Sequence, residues 1–269
     1  MTNSRLAAAF EHKPAFMPYF PIGYPTLATS IDVIEALARG GADLIEVGLS
    51  FSDPLADGPV VQRATQIALQ QGATVAKCLA AVAELRRRGV TIPLVLMGYY
   101  NPLLAYGLPR LAEDAAQAGA DGFIVPDLPP EEAGELEAAL AGAPTPLPLV
   151  RFIAPTTTPE RVPVITAGAK GFIYVVSLTG VTGVREALPV GLADFIARIR
   201  ALTNSQVPLA VGFGIATPEQ GRTVGALADG IIVGSAVVKT VGEAADPVRA
   251  AEDLARAFKA ALEPLRQTA

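Results

Sequence analysis

Leu44-Ile45-Glu46-Val47-Gly48-Leu49-Ser50-Phe51-Ser52-Asp53-Pro54-Leu55-Ala56-Asp57-Gly58-Pro59 holds the reading of this chain. Leu44, Ile45 and Val47 are apolar residues of a buried strand, and the run is interrupted by one carboxylate, Glu46. Side chains alternate across a strand, so Leu44, Glu46 and Gly48 share one face and Ile45 and Val47 the other. An unpaired charge inside so apolar a strand costs several kcal/mol unless its pKa shifts. Two readings follow: a carboxylate doing chemistry, or a buried Glu satisfied by a neighbouring Arg. The loop beyond the strand carries Ser52, Asp53 and Asp57 and is stiffened by Pro54 and Pro59, which favours a site.

Outward from this stretch, strands and helices alternate. A short leading helix at 4–12 precedes a strand at Ala15–Phe20. Thr29 or Ser30 caps a helix that runs to Arg39 and stops at Gly40-Gly41. After the loop come helices at about 61–71 and 74–88. The second closes on Arg86-Arg87-Arg88-Gly89, where the cations complement the helix dipole and are solvated. Further strands are expected at Pro93–Gly98, Phe123–Val125, Pro146–Ile153, Gly171–Ser177, Leu209–Gly212 and Gly230–Gly234. Helices are expected at 107–118, from Pro129-Pro130-Glu131-Glu132, up to Ala167, at 191–202, 217–226 and 246–262. Eight strand–helix units with no linker between them predict a single (β/α)8 TIM barrel over 1–269, with the short N-terminal helix as an extra. An open doubly wound sheet is the alternative, but no G-x-G-x-x-G follows the first strand.

The 269 residues are 51% apolar and 17% charged with a net charge of −5, which fits a large core and disfavours nucleic acid or an anionic membrane as partner. No window is long and apolar enough for a membrane span, and Leu6–Phe10 is too short for a signal peptide's apolar region. One Cys and one His exclude a disulfide framework and leave no basis for a His-rich metal site or a His-dependent triad. The expectation is a cytoplasmic enzyme without a metal.

In such barrels the chemistry lies at the C-terminal ends of the strands. Glu46 and Asp57 stand there as a carboxylate pair whose environments can split their pKa values. Gly212-Phe213-Gly214 and Gly234-Ser235 end the seventh and eighth strands, where this fold commonly binds phosphate. Thr179–Gly183 suits a lid. Tyr19, Tyr99, Tyr100, Tyr174 and Phe213 can sandwich a planar ligand. Spacing and composition support a phosphate-ended substrate and do not name a reaction.

Glu46-Val47-Gly48 with Phe51-Ser52-Asp53-Pro54-Leu55-Ala56-Asp57-Gly58-Pro59 resembles the signature of the tryptophan synthase alpha chain family. The likeness runs along nearly the whole sequence. It includes Met97-Gly98-Tyr99-Tyr100-Asn101-Pro102, Val125-Pro126-Asp127-Leu128-Pro129, Ser177–Gly183, Gly212–Ile215 and Gly234-Ser235-Ala236. It implies cleavage of indole-3-glycerol phosphate to indole and glyceraldehyde 3-phosphate, with no cofactor in this chain. It also implies an α2β2 complex whose beta chain carries pyridoxal phosphate. By position, Glu46 matches the acid–base glutamate and Asp57 the aspartate near the indole N–H. Tyr174 matches a tyrosine lining the pocket, Thr182 the lid threonine, and Gly183, Gly214, Gly234 and Ser235 the phosphate cradle, while Phe51, Asp53 and Asp127 fall to the beta partner. Tyr19 and Phe213 join the substrate side as aromatics at the same pole. The chain departs from the pattern at Ser50, where proline is usual, at Pro21, and at Arg151 in a strand expected to be apolar. Another phosphate-binding barrel isomerase would be expected to use a lysine, and none ends a strand at the active pole. A non-catalytic subunit that activates a partner is the remaining alternative, and the intact Glu46 and Asp57 argue against it.

Overall fold

A computed structural model describes residues 4–176, 191–203, 207–212 and 214–266. Strands β1 (Ala15–Pro21), β2 (Ile45–Gly48), β3 (Leu94–Met97), β4 (Gly122–Ile124), β5 (Leu149–Ile153), β6 (Ile173–Val176), β7 (Leu209–Gly212) and β8 (Gly230–Val233) each pair with the next. All pairs are parallel, and β8 closes on β1 with Ala15 opposite Gly230. The expected (β/α)8 barrel is therefore present.

Around it lie α1 (Ser4–Ala8), α2 (Leu27–Arg39), α3 (Pro59–Gln70), α4 (Val75–Arg87), α5 (Tyr100–Tyr106), α6 (Leu108–Ala118), α7 (Gly134–Ala141), α8 (Arg161–Thr166), α9 (Leu192–Leu202), α10 (Pro218–Gly225), α11 (Ser235–Glu243) and α12 (Pro247–Arg266). The period-two alternation sorts the strand side chains into two cores. Met17, Leu44, Val95, Ile124, Val150, Ala210 and Ile232 pack inside the barrel, joined by Leu6, Ala9 and Phe10 from the N-terminal segment. Phe16, Phe20, Ile45, Val47, Leu96 and Phe123 face outward beneath the helices. There Phe16 stacks on Phe258 of α12 with ring centroids 5.2 Å apart.

Three buried or nearly buried aspartates organise the N-terminal pole. Asp43, Asp121 and Asp229 lie just ahead of β2, β4 and β8. Each donates its N–H to the carbonyl of a residue starting or near the start of the preceding strand (Phe16, Leu94 and Leu209), at 2.9 Å in all three cases. Their carboxylates accept the N–H of that same residue, at 2.8, 2.8 and 2.9 Å respectively. Each also takes two cations: Lys259 and Arg266 on Asp43, Arg5 and Arg86 on Asp121, Lys13 and Arg200 on Asp229. Arg86 thus departs from its expected solvated role. It also donates to the carbonyls of Gly119, Val90 and Ile92, while Arg87 and Arg88 pair with Glu84 at the surface.

Several boundaries differ from the sequence reading. α2 is capped by Thr26, whose Oγ1 accepts the Thr29 N–H at 3.2 Å. Ser30 instead accepts the Gly23 N–H and donates to the Leu27 carbonyl, fixing the turn after β1. The leading helix stops at Ala8. α5 and α11 were not anticipated. α11 starts directly where β8 stops and buries Val237, Val238 and Val241.

Candidate active site

Glu46 sits on the inner face of β2, in register with Tyr19 of β1 and Val95 of β3. It is 1% exposed, no cation pairs with it among the described residues, and its Oε1 has no hydrogen-bond partner. Among the described residues, then, no neighbouring Arg neutralises Glu46. Burial, reinforced by Asp57, pushes its carboxyl from 4.5 up to about 8. Asp57 closes the loop that leaves β2. Its N–H bonds the Pro54 carbonyl at 3.0 Å, and its carbonyl accepts from Gln62 of α3 at 2.7 Å. Burial raises Asp57 from 3.8 to about 6, opposed by a hydrogen bond from the Tyr99 hydroxyl. Tyr99 Oη in turn accepts the Ala56 N–H at 3.0 Å and so ties the loop after β3 to the loop after β2. Near neutral pH the pair holds opposite states, with Glu46 protonated and Asp57 ionised.

A cavity of about 600 Å³ opens over this pair, lined by Tyr19, Glu46, Asp57, Tyr174, Gly214, Gly234 and Ser235, together with Phe152, Ile232 and other apolar groups. Seven expected site residues thus meet in one place. Tyr19 and Tyr174 hold their hydroxyls protonated, chiefly because both rings are buried. Each crosses a glycine on the neighbouring strand. A Cβ at Gly48 would stand 2.5 Å from Tyr19 Oη, and one at Gly212 would overlap Tyr174. Phe152 stacks on Tyr174 at 4.8 Å, giving the cavity an aromatic wall. Gly214 takes φ +93°, a conformation glycine adopts freely. Gly234 caps α11, whose first N–H groups lie beside Ser235 at the cavity edge, an arrangement suited to an anion.

Thr182, Gly183 and Phe213 lie outside the described residues, as does the expected lid. Tyr100 begins α5 and does not line the cavity. Sequence reasoning missed Phe152 and the hydrogen bond from Tyr99 to Asp57. Phe152 was signalled only by the alternation of β5, which faces it inward once Arg151 faces out.

Phe51, Asp53 and Asp127 lie on the loops at the same pole. Phe51 packs on Tyr99 at 5.7 Å, Asp53 is exposed, and Asp127 accepts the Tyr100 N–H that opens α5. Two residues beyond Asp53, Leu55 is 81% exposed. Ser50 donates its hydroxyl to the Ile22 carbonyl at 3.5 Å, a side-chain tie from the start of this loop to the end of β1 that proline could not make. Among the described residues, no group of three or more metal-ligating side chains is assembled, and no helix is long and apolar enough to cross a membrane.

The tryptophan synthase alpha chain family model matches residues 6–267. The alpha chain of Chloroflexus aurantiacus is 54% identical over 237 residues, covering 88% of this chain and 87% of that one. The alpha chain of Gluconacetobacter diazotrophicus is 44% identical over 268 residues, covering 97% and 96%. A chain of Mycobacterium tuberculosis tryptophan synthase superposes with a TM-score of 0.86 at 36% identity, over 96% of this chain and 97% of that one. The Legionella pneumophila alpha chain gives 0.87 at 33% identity, covering 98% of each. With its closed barrel and its paired carboxylates, this chain belongs to the tryptophan synthase alpha chain family, a family of lyases in tryptophan biosynthesis.

Proposed function

We propose that Glu46 and Asp57 carry the alpha reaction, the cleavage of indole-3-glycerol phosphate to indole and glyceraldehyde 3-phosphate. The observation that carries this assignment is Glu46, buried with an unpartnered Oε1 and lining one aromatic-walled cavity together with Asp57. Protonated Glu46 gives its proton to indole C3, turning the ring into an electron sink. Asp57 accepts a hydrogen bond from the indole N–H and stabilises the positive charge that develops there. The substrate's C3′ hydroxyl then loses its proton, and its oxygen lone pair forms the aldehyde C=O. The bond between ring and side chain breaks and its electron pair returns to the indole. Glu46, now a carboxylate, takes the hydroxyl proton and is reset.

The chemistry asks for a dry site, and Tyr19, Tyr174 and Phe152 supply its walls. Gly214, Gly234, Ser235 and the N-terminus of α11 are proposed to hold the phosphate, with Thr182, Gly183 and Phe213 completing that side. Phe51, Asp53 and Asp127, with the exposed Leu55 on the same loop as the first two, are proposed to meet a beta chain in a cytoplasmic α2β2 complex. Pyridoxal phosphate would belong to that partner. Residues 1–269 are proposed to form one barrel domain, consistent with strands drawn from Ala15 to Val233 in a single closed sheet.

The test is indole release from indole-3-glycerol phosphate, by the free chain and with added beta chain. Glu46→Gln should lower kcat by about 10²–10⁴, the usual worth of general acid–base catalysis, while a substrate analogue still binds. A variant retaining near wild-type kcat would overturn the assignment.

A further inference from the structure

The Asp clamp of the N-terminal pole serves three of the four even-numbered strands, and β6 lacks it. Arg151 pairs with Ile173, so stepping back two residues sets Gly171 opposite Leu149, where the other corners have their aspartate. Two cations stand at this corner all the same, Arg151 on the outward face of β5 and Lys170 beside Gly171. Both line an open cleft of about 1120 Å³, whose other walls include Leu6, Leu140, Leu147 and Leu149. Arg151 is 7% exposed; its Nη2 pairs with Glu137, and its buried Nη1 has no partner among the described residues. Lys170 is exposed and forms no ion pair among the described residues.

We infer that this cleft binds a small amphipathic monocarboxylate, whose head replaces the missing aspartate between Arg151 and Lys170 and whose tail lies along the leucines. A guanidinium engages two carboxylates with different nitrogens, so Glu137 need not leave. One acid against two bases leaves the cleft one positive charge, which matches a monoanion better than a phosphate dianion. The mainly apolar walls exclude a fully hydrated ion and favour a ligand with an alkyl body. The site is at the pole opposite Glu46 and is separate from the proposed phosphate cradle.

Octanoate is a suitable probe, titrated by calorimetry into the full chain, with octan-1-ol and inorganic phosphate as controls. Octanoate should bind saturably at one site per chain and leave KM for indole-3-glycerol phosphate unchanged. Arg151→Met should weaken it at least tenfold and Lys170→Ala several-fold, both variants forming indole at the wild-type rate. Equal affinity for octan-1-ol or phosphate, competition with substrate, or affinity unchanged in Arg151→Met would each overturn the inference. If Arg151→Met does not fold, Lys170→Glu at its exposed position decides: lost octanoate binding supports the site, and retained binding refutes it.

Discussion

Glu46→Gln should do more than stop catalysis; it should change how stability depends on pH. The Glu46 carboxyl, ordinarily at 4.5, is held at about 8 in the folded protein, first by burial and then by Asp57. A folded state that binds a proton more tightly than the unfolded chain is most stabilised below 4.5 and loses that advantage as pH rises towards 8. Each pH unit within the window removes about 1.4 kcal/mol. Across it, wild type gives up roughly 4–5 kcal/mol through this one group, a large share of the ~5–15 kcal/mol that holds a protein together.

Glutamine has nearly the shape of the protonated acid and cannot ionise. The two proteins should therefore match near pH 4.5, with the mutant ahead by about 1.4 kcal/mol one unit higher and by several kcal/mol near pH 8. Asp57 declines between 3.8 and about 6 in both proteins and largely cancels in the difference. Urea unfolding of the two chains across this window, at matched m-values, measures the divergence. Parallel profiles would refute the account, because they would mean that Glu46 ionises in the folded protein without cost.

Three further outcomes follow from the same geometry. The kcat/KM profile should be bell-shaped, rising as Asp57 ionises near 6 and falling as Glu46 loses its proton near 8; a profile flat across that range would contradict the assigned protonation states. Gly212→Ala forces its new methyl into Tyr174, costing about 1–3 kcal/mol and moving an aromatic wall of the site; both thermal stability and kcat/KM should fall, and wild-type values for both would show that the ring is not confined. Asp121→Asn removes the charge of a fully buried carboxylate, leaves the partly buried Arg86 short of its counter-charge and should cost about 3–5 kcal/mol, read from the urea midpoint, with a loss below about 1 kcal/mol counting against the clamp.

The barrel was legible because each strand is short, apolar and followed by a helical pattern, and that order survives uncertain boundaries. Glu46 was legible for a simpler reason, since period-two alternation fixes its face whatever the register. Tyr99 was not, because its bond to Asp57 joins the loop after β3 to the loop after β2, and only the closed barrel brings them together. α5 was hidden by Pro102 in its first turn. α11 was hidden because it starts at the last strand without a linker or a side-chain cap. Arg151 looked misplaced in an apolar strand; it faces out of the barrel, towards Glu137, and leaves the inner face to Val150 and Phe152.

The clamp on Asp43 also bears on the order in which the molecule can be made. Its carboxylate, near the start of β2, is held by Lys259 and Arg266, 216 and 223 positions later in the chain. In order of synthesis those cations come after every strand of the barrel, and β8, the neighbour that covers the free edge of β1, comes after the other seven. Until then the nascent chain carries an open strand edge and an unneutralised Asp43. Closing so long a loop costs entropy that grows with the logarithm of its length, and such non-local pairing slows folding. The first strand of the barrel is thus among the last to be secured, and until β8 pairs with it its open edge needs shelter from other nascent chains.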